Sequence, residues 1–205
     1  AYAIGLFPMA ERHDDQTLYW IDPEKRGILP IDRFHLPRRL ARKFRRRPFE
    51  VRCDTAFERV IRECAAPAND RPETWINEEI VALYTELNLM GRAHSVECWQ
   101  ADCLVGGLYG VTLGAAFFGE SMFSRKTDAS KIALAHLVAR LRKGGYSLLD
   151  IQFVTEHLSR FGAVEILRSG YRHLLAEALD RTATFHREVD PSEVERLLQP
   201  MTQTS

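Results

Sequence analysis

After Gly91 the hydrophobic period of the sequence changes from helical to two, and no other feature constrains the fold as strongly. Residues 95–99 alternate, and further strand candidates follow at residues 103–111 and 115–119, with short turns between them. Alternation is typical of β-strands, and short turns join antiparallel neighbours. We therefore predict an antiparallel meander, in which the Gly-Gly pair at residues 106–107 marks a bulge or a close approach of another backbone segment.

Signals on both sides of this meander complete the fold prediction. Asn77 is a good N-cap for a preceding helix, and a helix that starts near residue 128 ends at the Gly-Gly pair of residues 144–145. A strand candidate covers residues 146–153, and residues 28–31 are a candidate edge strand because they contain a proline. A meander followed by a helix and a further strand predicts an α+β fold in which one helix crosses the sheet.

The composition of the 205-residue chain is that of an ordinary globular protein with a formal net charge of zero. Zero net charge argues against a protein whose whole surface binds polyanions. No apolar run approaches the ~18 residues of a membrane span. The four cysteines have neither a CxxC spacing nor a histidine at metal-ligand spacing. We expect a cytoplasmic monomer with free thiols and no metal site. Because the chain begins at Ala1 without a methionine, we also expect that some N-terminal residues are missing.

A dense basic segment covers residues 35–47. Within it Leu36, Leu40 and Phe44 recur every four residues, which predicts a helix with a narrow apolar stripe. The rest of its surface carries Arg38, Arg39, Arg42, Lys43, Arg45, Arg46 and Arg47. Such a face is either simply solvated or binds phosphates. Because no acidic residues interleave with the bases, and like charges repel at this spacing, we favour a phosphate-binding helix.

The third strand candidate runs into residues 117–124, Phe-Phe-Gly-Glu-Ser-Met-Phe-Ser, where a single carboxylate lies among aromatic and thioether side chains. A solvated loop does not carry so much apolar surface, and a core strand does not normally carry an acid. Glu120 is therefore either paired or positioned for a polar substrate at the edge of an apolar pocket.

Asp150 and Gln152 lie two residues apart on the last predicted strand, so both side chains point to the same face. One interpretation is a buried polar pair that fixes the position of the strand. The other is a functional pair, in which Asp150 holds Gln152 or a water molecule in line with a reacting amine. Spacing alone does not decide between them. The chain contains no G-x-S-x-G, G-x-G-x-x-G or phosphate-binding glycine loop.

Several motifs occur in the order in which one known family has them. They are Thr74-Trp75-Ile76, Ala93 to Glu97, Leu104 to Val111, Phe118 to Ser124, Ala129-Ser130-Lys131, Leu149 to Gln152 and Gly162 to Ile166. Together they resemble the leucyl/phenylalanyl-tRNA–protein transferase family from about Leu6 to Tyr171, and the Gly-Glu-Ser-Met-Phe-Ser segment is highly specific.

The resemblance implies an aminoacyltransferase that moves leucine or phenylalanine from aminoacyl-tRNA to acceptor proteins. These acceptors have an N-terminal arginine or lysine and are thereby marked for degradation. It implies no cofactor, since aminoacyl-tRNA is a substrate. It also implies a GNAT-like (acyl-CoA N-acyltransferase-like) C-terminal domain after a smaller N-terminal α+β domain. We place the N-terminal domain with the basic helix at residues 1–50 and the GNAT-like domain at residues 51–205.

The resemblance also assigns roles to individual residues. It implies that Asp150 orients Gln152 beside the acceptor amine and that Glu120 lies close by. The implied aminoacyl side-chain pocket consists of Leu108, Phe117, Gly119, Met122, Leu134, Leu137, Leu141 and Leu149. Trp75 is implied to contact the 3′ adenosine of the tRNA, and the basic helix resembles the tRNA-backbone patch of the family.

The chain departs from the family pattern at positions that affect specificity. Met9 stands where the family often has a tryptophan, and Leu108 replaces a commoner methionine. The helix that is implied to line the pocket lacks the usual phenylalanines. We therefore expect a reshaped pocket and leave the preference among Leu, Phe and Met open.

Two other functions remain open. An acyl-CoA-dependent N-acetyltransferase would share the fold, but its glycine-rich pyrophosphate turn has no counterpart in residues 124–131, which contain no glycine. A non-catalytic RNA-binding module would explain the basic helix but not the pair formed by Asp150 and Gln152.

Overall fold

The computed structural model describes residues 1–9, 19–67 and 74–199. Its strands are β1 (Phe7–Met9), β2 (Tyr19–Ile21), β3 (Lys25–Ile28), β4 (Glu50–Cys53), β5 (Ala93–Gln100), β6 (Cys103–Leu113), β7 (Ala116–Ser124), β8 (Leu148–Gln152) and β9 (Val164–Leu167). A 3₁₀ turn at Tyr2–Ile4 precedes the helices α1 (Arg38–Arg45), α2 (Phe57–Ala65), α3 (Glu78–Leu89), α4 (Ala129–Gly144), α5 (Glu156–Ser159), α6 (Arg168–Leu179) and α7 (Pro191–Leu197). This mixture of elements confirms the prediction of an α+β fold.

One large sheet has the strand order β4-β5-β6-β7-β8-β3-β9, and β1 pairs with β2 in a separate ribbon. Neighbouring strands are antiparallel except β7 and β8, which are parallel. A parallel pair needs a crossover connection, and α4 provides it. The pairing of β5 with β6 and of β6 with β7 confirms the predicted meander, and α4 is the predicted crossing helix.

Strand β3 differs from its prediction. The sequence predicts an edge strand at residues 28–31, whereas β3 covers Lys25–Ile28 and lies between β8 and β9. Pro30 follows the strand instead of lying in it, so the hydrogen-bond ladder does not lose a donor. The domain boundary after residue 50 stays a prediction, and β3, which precedes that boundary, lies in the same sheet as the strands that follow it.

The sheet separates two apolar layers, because alternate residues of each strand point to opposite faces. Leu108, Phe117 and Leu149 pack in the layer that contains α4, α1 and α7. Their chain neighbours, among them Tyr109 and Phe118, pack in the layer that contains α2, α3 and α6. The helix α4 therefore covers the face that carries the predicted pocket residues.

The start of α4 is held close to β6 at a glycine. A Cβ atom on Gly106 would lie 2.4 Å from the Cβ of Ala129, so a side chain does not fit there, which confirms the predicted close approach. Helix α4 runs into Gly145, whose φ of 78° suits glycine at a helix end. Asn77 caps α3 by accepting a hydrogen bond from the Ile80 N–H at 2.9 Å. Both helix ends agree with prediction.

None of the helices in the described part of the chain is both long enough and apolar enough to span a lipid bilayer.

Candidate active site

A β-bulge in β7 places the carboxylate of Glu120. Tyr109 of β6 pairs with Ser121, and the next residue of β6, Gly110, pairs with Gly119. Glu120 is therefore an extra residue in β7. A bulge redirects a side chain from the regular alternation and is common beside active sites. In this way the carboxylate of Glu120 leaves the regular side-chain alternation of β7.

A second bulge lies in the adjacent strand β8. Gly27 of β3 pairs with Gln152, and the next residue of β3, Ile28, pairs with Asp150. Ile151 is therefore left unpaired in the ladder between β3 and β8. Gln152 ends the strand with a φ of 56°, in the left-handed region that residues with side chains rarely adopt. The backbone N–H of Gln152 donates to Oδ1 of Asp150 at 2.8 Å and so stabilises this turn. Strained backbone of this kind clusters at functional sites.

A cavity of about 490 Å³ opens beside both bulges. Its polar lining includes Glu120 and Gln152, and the half-buried Trp75 lies on its wall. Further lining residues that the family resemblance implies are Leu108, Gly119, Met122, Leu134, Leu137 and Leu149. The volume is within the range of small-molecule sites. The structure therefore brings one acid, one amide and an apolar wall into one hollow.

Two of the residues expected in the pocket lie behind its wall instead. Phe117 and Leu141 are fully buried, and the Phe117 ring packs near Tyr146 and Phe185. Leu141 lies one helical turn beyond Leu137, and Phe117 lies two residues before the lining glycine of β7. Each is on the face expected from the resemblance but too far along its element to reach the cavity. Their expected contact with a bound side chain stays a prediction, although neither residue lines the cavity in this structure.

The cavity wall also contains segments that the sequence-based site does not include. Phe7, Pro8 and Met9 of β1 line it. The remaining lining includes Ile151, Phe153, Thr155, His157 and Leu158, around the end of β8 and in α5. The run Leu6-Phe7-Pro8-Met9 is a usable signal for the first group, since a solvated segment rarely keeps four apolar residues in succession.

Asp150 is fully buried and does not line the cavity. The Nε and Nη2 of Arg26 donate to Oδ1 at 3.0 Å and to Oδ2 at 2.7 Å, and the Tyr171 hydroxyl donates to Oδ2 at 2.6 Å. With the N–H of Gln152 these bonds fill the roughly four acceptor sites of a carboxylate. Asp150 is therefore suited to holding Gln152 in place and not to taking a proton from a substrate.

Arg26 and Tyr171 complete this buried cluster, and the sequence-based site contains neither. Arg26 is 1% exposed, and its guanidinium lies 4.3 Å from the ring centroid of Phe7 and 4.7 Å from that of Tyr171. Burial, with a further contribution from Asp150, raises the pKa of Tyr171, so its hydroxyl stays a hydrogen-bond donor. No local pattern identifies Arg26, because its carboxylate partner is 124 residues away in the chain.

The side chain of Gln152 is 8% exposed, and its Nε2 has no hydrogen-bond partner among the residues that the structure describes. A buried polar group that lacks a partner costs about 1–3 kcal/mol. A ligand in the cavity that pairs with this amide would remove the cost. The unpaired amide is therefore available to a polar group that enters the cavity.

Glu120 is held by a tyrosine pair from the other apolar layer. The Tyr2 hydroxyl donates to Oε1 of Glu120 at 2.7 Å, and the hydroxyls of Tyr2 and Tyr84 are 2.5 Å apart. Burial raises the pKa of Glu120 to about 7, a rise that Tyr2 opposes and Asp150 increases. A carboxyl group that titrates near neutral pH can accept and return a proton during a reaction.

The basic helix α1 has the predicted amphipathic form. Leu40 and Phe44 are buried, and Leu36 before the helix packs against the same core. Lys43 bonds to Asp128 at 3.0 Å and Arg47 to Glu195 at 3.3 Å. The remaining basic side chains have no ion-pair partner among the described residues, and these are Arg38, Arg39, Arg42, Arg45 and Arg46. Their exposure and lack of acidic partners favour a phosphate-binding surface over a face neutralised within the protein.

The described residues contain no group of three His, Cys, Asp or Glu side chains that could hold a metal ion. Fold and site together define an α+β protein whose cavity has an acid and an amide beside apolar side chains.

Comparisons with known sequences identify the family. The family described as Leucyl/phenylalanyl-tRNA protein transferase matches residues 28–176, and its N-terminal domain matches residues 1–24. A leucyl/phenylalanyl-tRNA–protein transferase of Paramagnetospirillum magneticum is 63% identical over 187 residues, which cover 91% of this chain and 90% of the relative. The same-named protein of Maricaulis maris is 57% identical over 204 residues, which cover 100% of this chain and 94% of the relative. The chain belongs to the leucyl/phenylalanyl-tRNA protein transferase family. The predicted family and the predicted enzyme class are confirmed.

Proposed function

We propose that the protein transfers leucine or phenylalanine, with methionine as a further donor residue, from aminoacyl-tRNA to the N-terminal arginine or lysine of acceptor proteins. This transfer marks the acceptor for degradation. The observation that carries the proposal is a single cavity whose wall contains Glu120 and Gln152 together with several leucine and methionine side chains.

The donated side chain binds among Leu108, Met122, Leu134, Leu137 and Leu149. Burying a side chain as large as leucine or phenylalanine contributes about 1.5–3 kcal/mol, which selects it from polar amino acids. An apolar pocket discriminates poorly among side chains of similar size. This is why we include methionine among the donor residues.

The terminal adenosine of the donor RNA binds beside Trp75. A base stacked on an aromatic side chain contributes about 1–3 kcal/mol without regard to sequence. Trp75 is half-buried and lines the cavity, so part of its side chain is accessible from the cavity. Met9 lines the same cavity and offers a thioether contact in place of the tryptophan that the family often has.

The reaction is the aminolysis of an ester. The neutral α-amine of the acceptor attacks the ester carbonyl carbon, a C–N bond forms, and the C–O bond to the ribose breaks. One proton passes from the nitrogen to the departing ribose oxygen, directly or through a carboxylate. Because the ester is already activated, holding the amine within about 3–3.5 Å of the carbonyl carbon supplies much of the rate.

Gln152 orients the acceptor amine with its side-chain amide, and Glu120 accepts the proton that the amine loses. The place of Gln152 beside Glu120 on the cavity wall and the raised pKa of Glu120 support these roles. Asp150 acts through Gln152 as a positioning residue. Because Arg26 already neutralises Asp150, the acid available to attract a cationic acceptor side chain is Glu120.

The backbone of the tRNA binds to α1 through its exposed arginines. Contacts from basic side chains to phosphates carry no sequence information directly. They therefore suit an enzyme that accepts tRNAs of different sequence. The net charge of zero agrees with binding at one basic surface, because the excess of positive charge is confined to the segment around α1.

The finer fold assignment is a GNAT-like core. Its support is the order of the elements, an antiparallel meander of β5, β6 and β7 followed by the crossover α4 into the parallel strand β8. The cavity lies where β7 and β8 are adjacent, and α4 contributes Leu134 and Leu137 to it.

A transfer assay tests the proposed function. Radiolabelled Leu-tRNA is incubated with the protein and a peptide that begins with arginine, and label is expected in the peptide. The same peptide with an acetylated N-terminus is the control and should stay unlabelled. An unlabelled arginine peptide, under conditions in which another member of the family is active, would refute the proposal.

A further inference from the structure

A second cavity of about 560 Å³ lies between the start of α1, the segment before α4, and α5. It shares one wall residue, His157, with the cavity that contains Glu120 and Gln152. Three basic side chains line it, and they come from three different elements: Arg39 from α1, Lys131 from α4 and Arg160 from the end of α5. We call this second cavity the basic groove.

The ion pairs in the basic groove leave positive charge in excess. Asp128 accepts from Lys131 at 2.9 Å and also from Lys43 at 3.0 Å, so two lysines share one carboxylate. Arg160 is paired with Glu156 at 2.5 Å. Arg39 is exposed and has no acidic partner among the described residues. The groove therefore attracts anions although two acids line it.

His157 forms the boundary between the two cavities. Its side chain is half-buried, and its Nε2 has no hydrogen-bond partner within the described residues. Burial lowers the pKa of His157, and the charges of Lys131 and Arg160 lower it further while Asp128 opposes them, which favours the neutral ring. A neutral imidazole with an unpaired nitrogen can pair with a hydroxyl or a phosphate that passes from one cavity to the other.

We propose that the basic groove binds the phosphodiester groups of the last nucleotides of the donor RNA, next to the terminal adenosine. This proposal rests on the proposed function. The groove begins at His157, a wall residue of the cavity that contains Glu120 and Gln152, and ends at Arg39, which belongs to the basic helix. A single strand that leaves the cavity past His157 thus enters a groove lined by Arg160, Lys131 and Arg39 before it reaches the rest of α1.

The test uses two unreactive donor analogues and measures their dissociation constants by calorimetry. The first is 3′-amino-3′-deoxyadenosine acylated with phenylalanine, which has no phosphate. The second is the same nucleoside extended at its 5′ side by two cytidylates, which adds phosphates for the groove. The unaltered protein should bind the extended analogue more tightly than the nucleoside.

The variant Arg39→Gln/Lys131→Gln should bind the extended analogue about tenfold more weakly, since charge-assisted hydrogen bonds to phosphate no longer form. Its affinity for the nucleoside should stay unchanged. The slope of log Kd against log salt for the extended analogue should flatten by roughly 0.7 for each phosphate of the single strand that the variant no longer binds. The single variant Arg39→Gln, at an exposed position, should show the same effect in part.

Arg181→Gln is the matched control, because Arg181 is exposed after α6, in the layer on the other face of the sheet. It should change neither affinity. Equal affinities for the two analogues in the unaltered protein, or equal losses for both in the double variant, would overturn the proposal. Failure of the proposed function is distinguishable, since the unaltered protein would then neither bind the nucleoside analogue nor transfer leucine.

Discussion

Arg26 and Asp150 form an ion pair in which both side chains are almost completely buried, with exposures of 1% and 0% and an Nη2–Oδ2 distance of 2.7 Å. The pair joins β3 to β8, which are adjacent in the sheet, although the two residues are 124 positions apart. It fixes the carboxylate that holds the backbone of Gln152. The wall of the cavity is therefore stabilised by a strand from the N-terminal part of the chain.

The first prediction concerns this pair. Arg26→Met leaves Asp150 buried without its counter-charge, and we expect the free energy of unfolding to fall by about 3–5 kcal/mol. Urea denaturation at pH 7 measures the change. Arg172→Met is the matched control, because Arg172 pairs with Asp22 at the surface and its loss should cost less than about 1 kcal/mol. Similar losses in the two variants would contradict the importance of the buried pair.

Sequence patterns predict those structural features of the protein that depend on residues close together in the chain. The alternation of residues 95–99 and the two strand candidates after it predict the meander. The Gly-Gly pair at residues 106–107 predicts a bulge or a close approach, and Asn77 predicts a helix start. An acid in an apolar segment and two polar residues on one strand face similarly single out Glu120 and Gln152, which line one cavity.

The rest depends on contacts between distant segments. Tyr2 reaches Glu120 across 118 positions, and no periodicity of the N-terminal residues indicates that contact. The bulges in β7 and β8 are register shifts between strands, so a single strand does not reveal them. Phe117 and Leu141 show the same limit, since sequence order gives the face of an element but not the depth of the cavity.

The second prediction follows from the raised pKa of Glu120, about 7 in the folded protein against an ordinary value of 4.5. Between these values the folded protein keeps a proton that the unfolded chain has released. The free energy of unfolding therefore falls as the pH rises through this window. Glu120→Gln removes the titrating group. We expect the change in the free energy of unfolding that it causes to be more stabilising at pH 8 than at pH 4, by about 3 kcal/mol.

Urea denaturation of the Glu120→Gln variant and the unaltered protein at pH 4, 6 and 8 measures this difference. Glu177→Gln serves as a control, because Glu177 is exposed on α6 and its replacement should have a small effect at every pH. A difference between Glu120→Gln and the unaltered protein that does not change with pH would contradict the raised pKa.

The third prediction separates the wall of the cavity that contains Glu120 and Gln152 from the core behind it. Leu137 lines the cavity and Leu141 does not, although both are on α4 and are at most 1% exposed. Each Leu→Ala change should lower the free energy of unfolding by about 2–5 kcal/mol. Leu137→Ala enlarges the cavity, so we expect it alone to shift the donor preference from leucine towards phenylalanine.

Competition between Leu-tRNA and Phe-tRNA in the transfer assay measures that preference, as the ratio of the two kcat/KM values. The stability of both variants is measured in parallel, so that a loss of folded protein is not mistaken for a change in specificity. An equal shift of the ratio in Leu141→Ala would show that general loosening of α4, and not the shape of the wall, sets the preference.

The fourth prediction concerns the basic helix, in which Arg45 and Arg46 have no acidic partner within the described residues, whereas Arg47 pairs with Glu195 at 3.3 Å. The double change Arg45→Ala/Arg46→Ala should weaken the binding of tRNA and flatten the slope of log Kd against log salt by roughly one for each phosphate that is no longer neutralised. Filter binding between about 50 and about 200 mM salt measures the slope. Arg47→Ala should flatten it less, because Glu195 already competes for that guanidinium. If the double variant keeps the slope of the unaltered protein, α1 is a solvated surface and the tRNA backbone binds elsewhere.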